Sequence, residues 1–217
     1  MKSVCILSGG LDSTTLLYKL IKEGKEVKAI SFFYGQRHSK ELEMAVKTCD
    51  KLNIEHKVIN LEPLKSIMDN SALTGDVDVP EGHYEDETMK KTVVPNRNMI
   101  FASIAIAYAV NIEADEVALG VHAGDHAIYP DCRPEFIDAL RAVAKIANYR
   151  PIEVYAPFID MSKADIVGEG IELEVDYSLT HTCYKGEEVP CGLCGSCRER
   201  GEAFYINKTQ DPLTIKL

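Results

Sequence analysis

The chain has no long apolar run, since no segment approaches the roughly 20 apolar residues that a membrane-spanning helix requires. Its opening residues, MKSVCILSGG, lack the extended apolar region and small-residue cleavage site of a secretory signal. No membrane association and a cytoplasmic location are therefore the expectation. Positive charge is also scarce: 24 Lys+Arg stand against 34 Asp+Glu, a formal net charge of -10. A surface of that sign repels the phosphate backbone that supplies most non-specific nucleic-acid affinity, so no nucleic-acid partner is expected unless a local basic groove exists. Internal repeats and low-complexity tracts are absent too. What is present is 217 residues, 46% hydrophobic and 27% charged, enough for one substantial core, or for one domain with a small appendage.

Short β-rich runs alternate with helix-like segments. Strands are expected at 3–8, 26–34, 55–61, 115–121 and 152–157, and helices at 13–23, 39–52, about 97–112, 134–147 and from about 162. Runs of Val, Ile and Ala without strict alternation suit strands buried on both faces, and the βα rhythm predicts an α/β fold with a doubly wound parallel sheet. Ligands in such folds sit beyond the carboxyl ends of the strands. Two stretches break the rhythm. Residues 62–94 are acidic and poor in large apolar residues, which fits either a lid over a site or a solvated insertion. The cysteine-rich stretch after about 172 divides the chain into a main domain, 1–175, and a C-terminal segment, 176–217, with a terminal helix.

At the exit of the first strand stands SGGLDS, Ser8 to Ser13. Paired glycines make a turn cheaply, and here they lead directly into a helix whose N-terminal N–H groups and dipole favour an anion. The loop has neither the spacing nor the Lys of GxxxxGK[ST]. Asp12 is the informative difference, because a carboxylate beside a phosphate nest is repelled unless a cation such as Mg²⁺ lies between them. The alternative makes Asp12 and Ser13 ordinary helix caps.

SGGLDSTTLL after a first strand resembles the pyrophosphate loop of the N-type ATP pyrophosphatases, which adenylate a carbonyl or carboxylate oxygen and release pyrophosphate. The resemblance implies an adenine nucleotide α-hydrolase-like, Rossmann-like fold. It implies ATP binding by Leu7, Ser8, Gly9, Gly10, Leu11, Asp12, Ser13, Thr14, Thr15, Leu16 and Leu17, with Asp12 and Ser13 catalytic. Four further stretches, in order along nearly the whole chain, resemble the 7-cyano-7-deazaguanine synthase family: FYGQRHSKE (33–41), VPNRNMIF (94–101), GVHAGDHAIYPDCRPEFI (120–137) and CYKGEEVPCGLCGSC (183–197). Many of that family carry Gly where this chain has Asn96.

The same residues have chemistry of their own. Arg37 and His38 follow the second strand, facing a nucleotide or simply forming a solvated turn, and Arg97 opens a helix where it can meet phosphate or carboxylate in a bidentate fork. Arg37 and Arg97 are thus ATP-binding candidates. The 115–121 strand is followed within a few residues by His122, Asp125, His126, Tyr129, Asp131 and Arg133. A guanine-like edge calls for a carboxylate and an aromatic face, so Asp125, Tyr129, Asp131 and Arg133 are the substrate candidates, Arg133 for the substrate's carboxylate; hydrogen-bonding roles are expected for the two histidines. Lys163 resembles a phosphate-neutralising, catalytic lysine of the superfamily, with a plain helix-surface lysine as the alternative.

Cys183, Cys191, Cys194 and Cys197 give C-x7-C-x2-C-x2-C, which can close a four-thiolate shell around one structural Zn²⁺ with no open position. The spacing alone leaves an iron–sulfur cluster open, and the family resemblance favours zinc. Cys5 and Cys49 are expected in the core and Cys132 beside the substrate. The resemblance implies ATP with Mg²⁺, ammonia and 7-carboxy-7-deazaguanine as reactants, a nitrile made through an amide by two adenylations, and a homodimer. No glutaminase triad is evident, so free ammonia is the expected nitrogen source. The rivals are tRNA thiolation by the same loop, which calls for a basic RNA surface, and a non-catalytic nucleotide-binding zinc-ribbon module.

Overall fold

The computed structural model describes residues 1–75 and 77–213; Asp76, within the 62–94 stretch, and residues 214–217, at the end of the 176–217 segment, lie outside them. Five strands, β1 (Lys2–Ile6), β2 (Glu26–Phe33), β3 (Glu55–Asn60), β4 (Glu116–Ala118) and β5 (Glu153–Tyr155), form one parallel sheet in the order β3-β2-β1-β4-β5. Six helices accompany them: α1 (Leu11–Lys22), α2 (Lys40–Leu52), α3 (Arg97–Asn111), α4 (Pro134–Ile146), α5 (Lys163–Glu172) and α6 (Gly195–Ile206). Neighbouring strand residues point to opposite faces. Val4, Ile30 and Phe32 pack with Ala102 and Ala105 of α3 and Ile137 and Leu140 of α4, whereas Cys5 and Ala29 pack with Leu16 and Leu20 of α1, Ile166 of α5 and Phe204 of α6. The sheet is doubly wound, and Cys5 and Cys49 are core residues.

The order reverses between β1 and β4, so the carboxyl ends of these two strands open a crevice. Both β4 and β5 stop short of the strands expected at 115–121 and 152–157; the Leu119 N–H still donates to the Tyr155 carbonyl at 2.9 Å, after which Gly120 and Val121 leave the ladder to line that crevice. Two positions there depend on glycine. Gly9 has φ +91, and a Cβ on it would run into the Glu41 carbonyl oxygen; a Cβ on Gly120 would lie 3.2 Å from the Ser13 nitrogen. Asn96, preceding α3, holds φ 57, a left-handed conformation that Asn tolerates better than other side-chain-bearing residues.

Residues 62–94 contain two 3₁₀ segments, Glu62–Ile67 and Glu87–Thr92. They are tied down at both ends: Thr92 Oγ1 shares a hydrogen bond of 2.6 Å with the Tyr129 hydroxyl, and Gly82 N–H donates to the Leu193 carbonyl at 3.2 Å. Among the described residues, no helix is long and apolar enough to cross a membrane.

Candidate active site

The loop after β1 is held in shape by its own hydroxyls. Ser13 Oγ accepts the Ser8 N–H at 3.1 Å and lies 2.9 Å from Ser8 Oγ, which in turn accepts the Gly10 N–H at 3.1 Å. No side chain caps α1, so its N-terminus opens into the crevice, a cleft of about 220 Å³. Leu7, Ser8, Gly10, Asp12 and Ser13 line it. Leu11, Thr14, Thr15, Leu16 and Leu17 are buried behind them, anchoring the helix and not touching the cleft; Thr15 Oγ1 lies 3.0 Å from the Tyr177 hydroxyl.

Lys163 arrives from across the sheet. Ser162 and Asp165 form a reciprocal capping box that fixes the start of α5, and Lys163 Nζ then donates to Asp12 Oδ2 at 2.7 Å and stands 3.2 Å from Glu199 Oε2. His122 Nε2 is 3.8 Å from Asp12 Oδ2 and 3.4 Å from Asp125 Oδ2. Burial opposes charge on Lys163, but Asp12, Glu199 and Asp125 outweigh it and hold its pKa well above the ordinary lysine value. Burial likewise pushes the Asp12 carboxyl up, yet Lys163 and His122 reverse this and leave it below the usual carboxylate range. Three carboxylates thus surround one lysine and one histidine, and Asp12 Oδ1 is buried with no hydrogen-bond partner. An orphaned carboxylate oxygen among hard oxygen donors fits a hard divalent cation shared with a polyphosphate. The helix-surface alternative for Lys163 fails on its burial.

The opposite wall is aromatic. Phe32 and Phe101 stack at 4.2 Å between ring centroids, and Tyr34 tilts against Phe101 at 5.4 Å. Arg97 lines this end, with Tyr34, Asp131, Cys132 and Tyr129 as polar neighbours. Tyr129, Asp125 and Cys132 also reach the cleft. Three further expected site residues do not. Arg37 donates from Nη1 to the Val77 carbonyl at 2.9 Å, bracing the 62–94 segment. Asp131 Oδ2 accepts the Asn98 N–H at 2.9 Å and so caps α3, while Arg133 Nε donates to the His126 carbonyl at 2.8 Å. Each spends its charge on backbone groups that would otherwise be unpaired.

Glu41, Asn98, Thr182, Tyr184 and Glu199 line the cleft without having been expected there. Burial lifts the Glu41 carboxyl to about 7 against the opposing pull of Arg97. Glu41 lies within FYGQRHSKE, but nothing in the spacing shows that α2 turns it toward the loop. Glu199 is two residues beyond Cys197, hidden in a segment that reads only as metal-binding.

The four cysteines come together as expected, with their sulfurs all within 4.8 Å of one another, and could hold a metal ion. The Cys191 and Cys197 sulfurs are 4.0 Å apart, close to the edge of about 3.8 Å of a tetrahedron with Zn–S bonds near 2.3 Å. Leu193 and Cys194 N–H groups both donate to Cys191 Sγ at 3.4 Å, which Gly192, at φ 69, makes possible. The cluster is joined to the phosphate loop: the His181 N–H donates to the Gly9 carbonyl at 3.0 Å.

A loop pinned by hydroxyls at the switch point of a parallel sheet, faced by a lysine among carboxylates, defines a doubly wound α/β protein built to handle phosphate. In fold it is similar to the solved NMN synthetase from Francisella tularensis, with a TM-score of 0.54 at 16% identity over 96% of this chain and 77% of that one. The family model described as "Queuosine biosynthesis protein QueC" matches residues 2–208, and the chain belongs to that family. It is 56% identical over 215 residues to the 7-cyano-7-deazaguanine synthase of Hahella chejuensis, covering 99% of this chain and 93% of that one. It is 55% identical over 212 residues to the 7-cyano-7-deazaguanine synthase of Marinomonas sp., covering 98% and 97%.

Proposed function

We propose that the protein converts 7-carboxy-7-deazaguanine and ammonia to 7-cyano-7-deazaguanine at the expense of ATP. The observation that carries this is the meeting of the Ser8–Ser13 loop, Asp12 and Lys163 at one end of a cleft whose other end offers aromatic rings and Arg97. The loop and α1 N-terminus hold the triphosphate. Lys163 neutralises charge on the α-phosphate and leaving pyrophosphate, and Ser13 keeps the loop in its open form. Asp12 would hold Mg²⁺, which when bound would screen the phosphate oxygens from the carboxylates around Lys163. Tyr129 and Phe101 bracket the deazaguanine plane, and Arg97 takes the part expected of Arg133, facing the substrate carboxylate. That carboxylate attacks the α-phosphate, and ammonia displaces AMP to give the amide. A second adenylation, of the amide oxygen, then lets the nitrile form. Positioning and charge neutralisation supply the catalysis, and no side chain acts as a covalent nucleophile.

The cysteine quartet binds one Zn²⁺ in a structural role: four thiolates fill its shell. Tyr84 and Met89 of the 62–94 segment border the space beside the cleft, and the metal staples residues 176–217 onto the core that α6 shares with α1 and α5. The net charge of -10 supports small-molecule reactants over an RNA substrate in a cytoplasmic homodimer. The test is incubation with ATP, Mg²⁺, ammonium and 7-carboxy-7-deazaguanine, followed by mass spectrometry. Substrate-dependent AMP and the nitrile are expected; no substrate-dependent AMP refutes the proposal, and ATP binding without turnover would favour a nucleotide-sensing module.

A further inference from the structure

A side chamber opens off the cleft beneath the 62–94 segment. Tyr84 and Met89 form its outer wall, and it shares Asp125, Ser196 and Glu199 with the cleft. Its interior has room for about one water-sized molecule. The boundary is also polar at its hydroxyls, where Tyr129 and Tyr184 lie 3.1 Å apart.

Glu199 directs this chamber toward a specific kind of guest. The residue is only 7% exposed, and Oε2 faces Lys163 at 3.2 Å. Its other oxygen, Oε1, has no hydrogen-bond donor among the described residues and points at Gly124, where a Cβ would stand only 2.6 Å away. A carboxylate oxygen on a largely buried residue, open to the chamber and without a protein donor, is free to accept one from a ligand. The guest must be about the size of water, rich in N–H or O–H donors and favoured by negative charge.

We propose that this chamber is the ammonia subsite, admitting ammonium or ammonia and presenting it to the adenylated carbonyl. This rests on the adenylation chemistry proposed above. Asp125 and Glu199 accept the guest's N–H groups. Ammonium gives one proton to solvent through the chamber mouth, and the freed nitrogen lone pair forms the bond to the carbonyl carbon. The bond from that carbon to the AMP oxygen breaks, AMP leaves with the electron pair, and a further N–H proton passes to solvent. Met89 and Tyr84 limit the guest to one heavy atom, excluding larger amines.

The test separates amine binding from adenylation. Carboxylate-dependent exchange of pyrophosphate into ATP reports adenylation without any amine, and the ammonium KM reports the chamber. Gly195→Ala, whose added methyl would meet Met89 Sδ and Tyr84 at 3.1 Å and crowd the chamber without lining the cleft, should raise the ammonium KM about tenfold or more while exchange stays within about twofold. Met89→Ala, and Tyr84→Ala as the variant less exposed to folding defects, should let methylamine react, with the N-methyl carboxamide detected by mass. Normal exchange with an unchanged ammonium KM in Gly195→Ala, or with no methylamide from either enlarged variant, overturns the subsite. Absence of carboxylate-dependent exchange in the unaltered protein overturns the adenylation chemistry itself, and the subsite with it.

Discussion

The phosphate loop and the cysteine quartet lie side by side and are built on opposite principles. The loop satisfies its hydroxyls internally and leaves valence open toward the cleft: an uncapped helix N-terminus and a buried Asp12 oxygen without a partner. The quartet turns inward, with three of its four cysteines buried and every sulfur within reach of the same centre. Open valence serves ligands that come and go, and a filled shell serves the fold. The two regions touch through the His181–Gly9 hydrogen bond and through Glu199, which α6 carries from the cluster to Lys163.

The contrast can be broken from either side. Asp12→Ala should lower turnover about a thousandfold or more, with the melting temperature moving by only about 4 °C and the metal content unchanged. Cys194→Ser should do the reverse: metal content measured by plasma mass spectrometry falls, and the melting temperature drops by roughly 10 °C, activity being lost through unfolding. Arg200 sharpens the structural half. It is fully buried and bidentate to Asp211 at 2.8 and 2.9 Å, with Thr180 Oγ1 at 2.7 Å. Arg200→Met strands the Asp211 charge and should cost about 3–5 kcal/mol in denaturant unfolding, without altering ligand affinity of the folded fraction.

Glu41 gives a pH signature for the cleft. Its folded pKa of about 7 is above the ordinary 4.5, so the folded state holds the proton more tightly, and stability declines as pH rises from about 4.5 to 7. Glu41→Gln should remove this decline and stabilise the protein at pH 8 by at most about 3 kcal/mol, less whatever cleft water screens. The smallest effect belongs to Arg37→Ala. Because the side chain braces the 77 carbonyl, the KM for ATP should change by about twofold or less.

The doubly wound sheet, the loop and the metal quartet were legible because each is local: β-rich runs, adjacent glycines, and ligands packed within 15 residues. Strand ends were less so, since Gly120 and Val121 read as strand and yet leave the ladder for the cleft. Two expected substrate residues lie outside the cleft lining, each with a backbone partner that spacing does not reveal. Asp131 and Arg133 sit in the most chemistry-rich stretch, but one caps α3 and the other holds the His126 carbonyl. Conversely, Glu199 became visible only when α6 docked against α5 and brought it to Lys163.

The most direct test of the central claim, that one phosphate loop adenylates the same substrate twice, is the ratio of AMP to nitrile formed with excess ammonium. Two AMP per nitrile, each accompanied by pyrophosphate and abolished by Asp12→Ala, is the expected result. One AMP per nitrile, or ADP and phosphate in place of AMP and pyrophosphate, would contradict it.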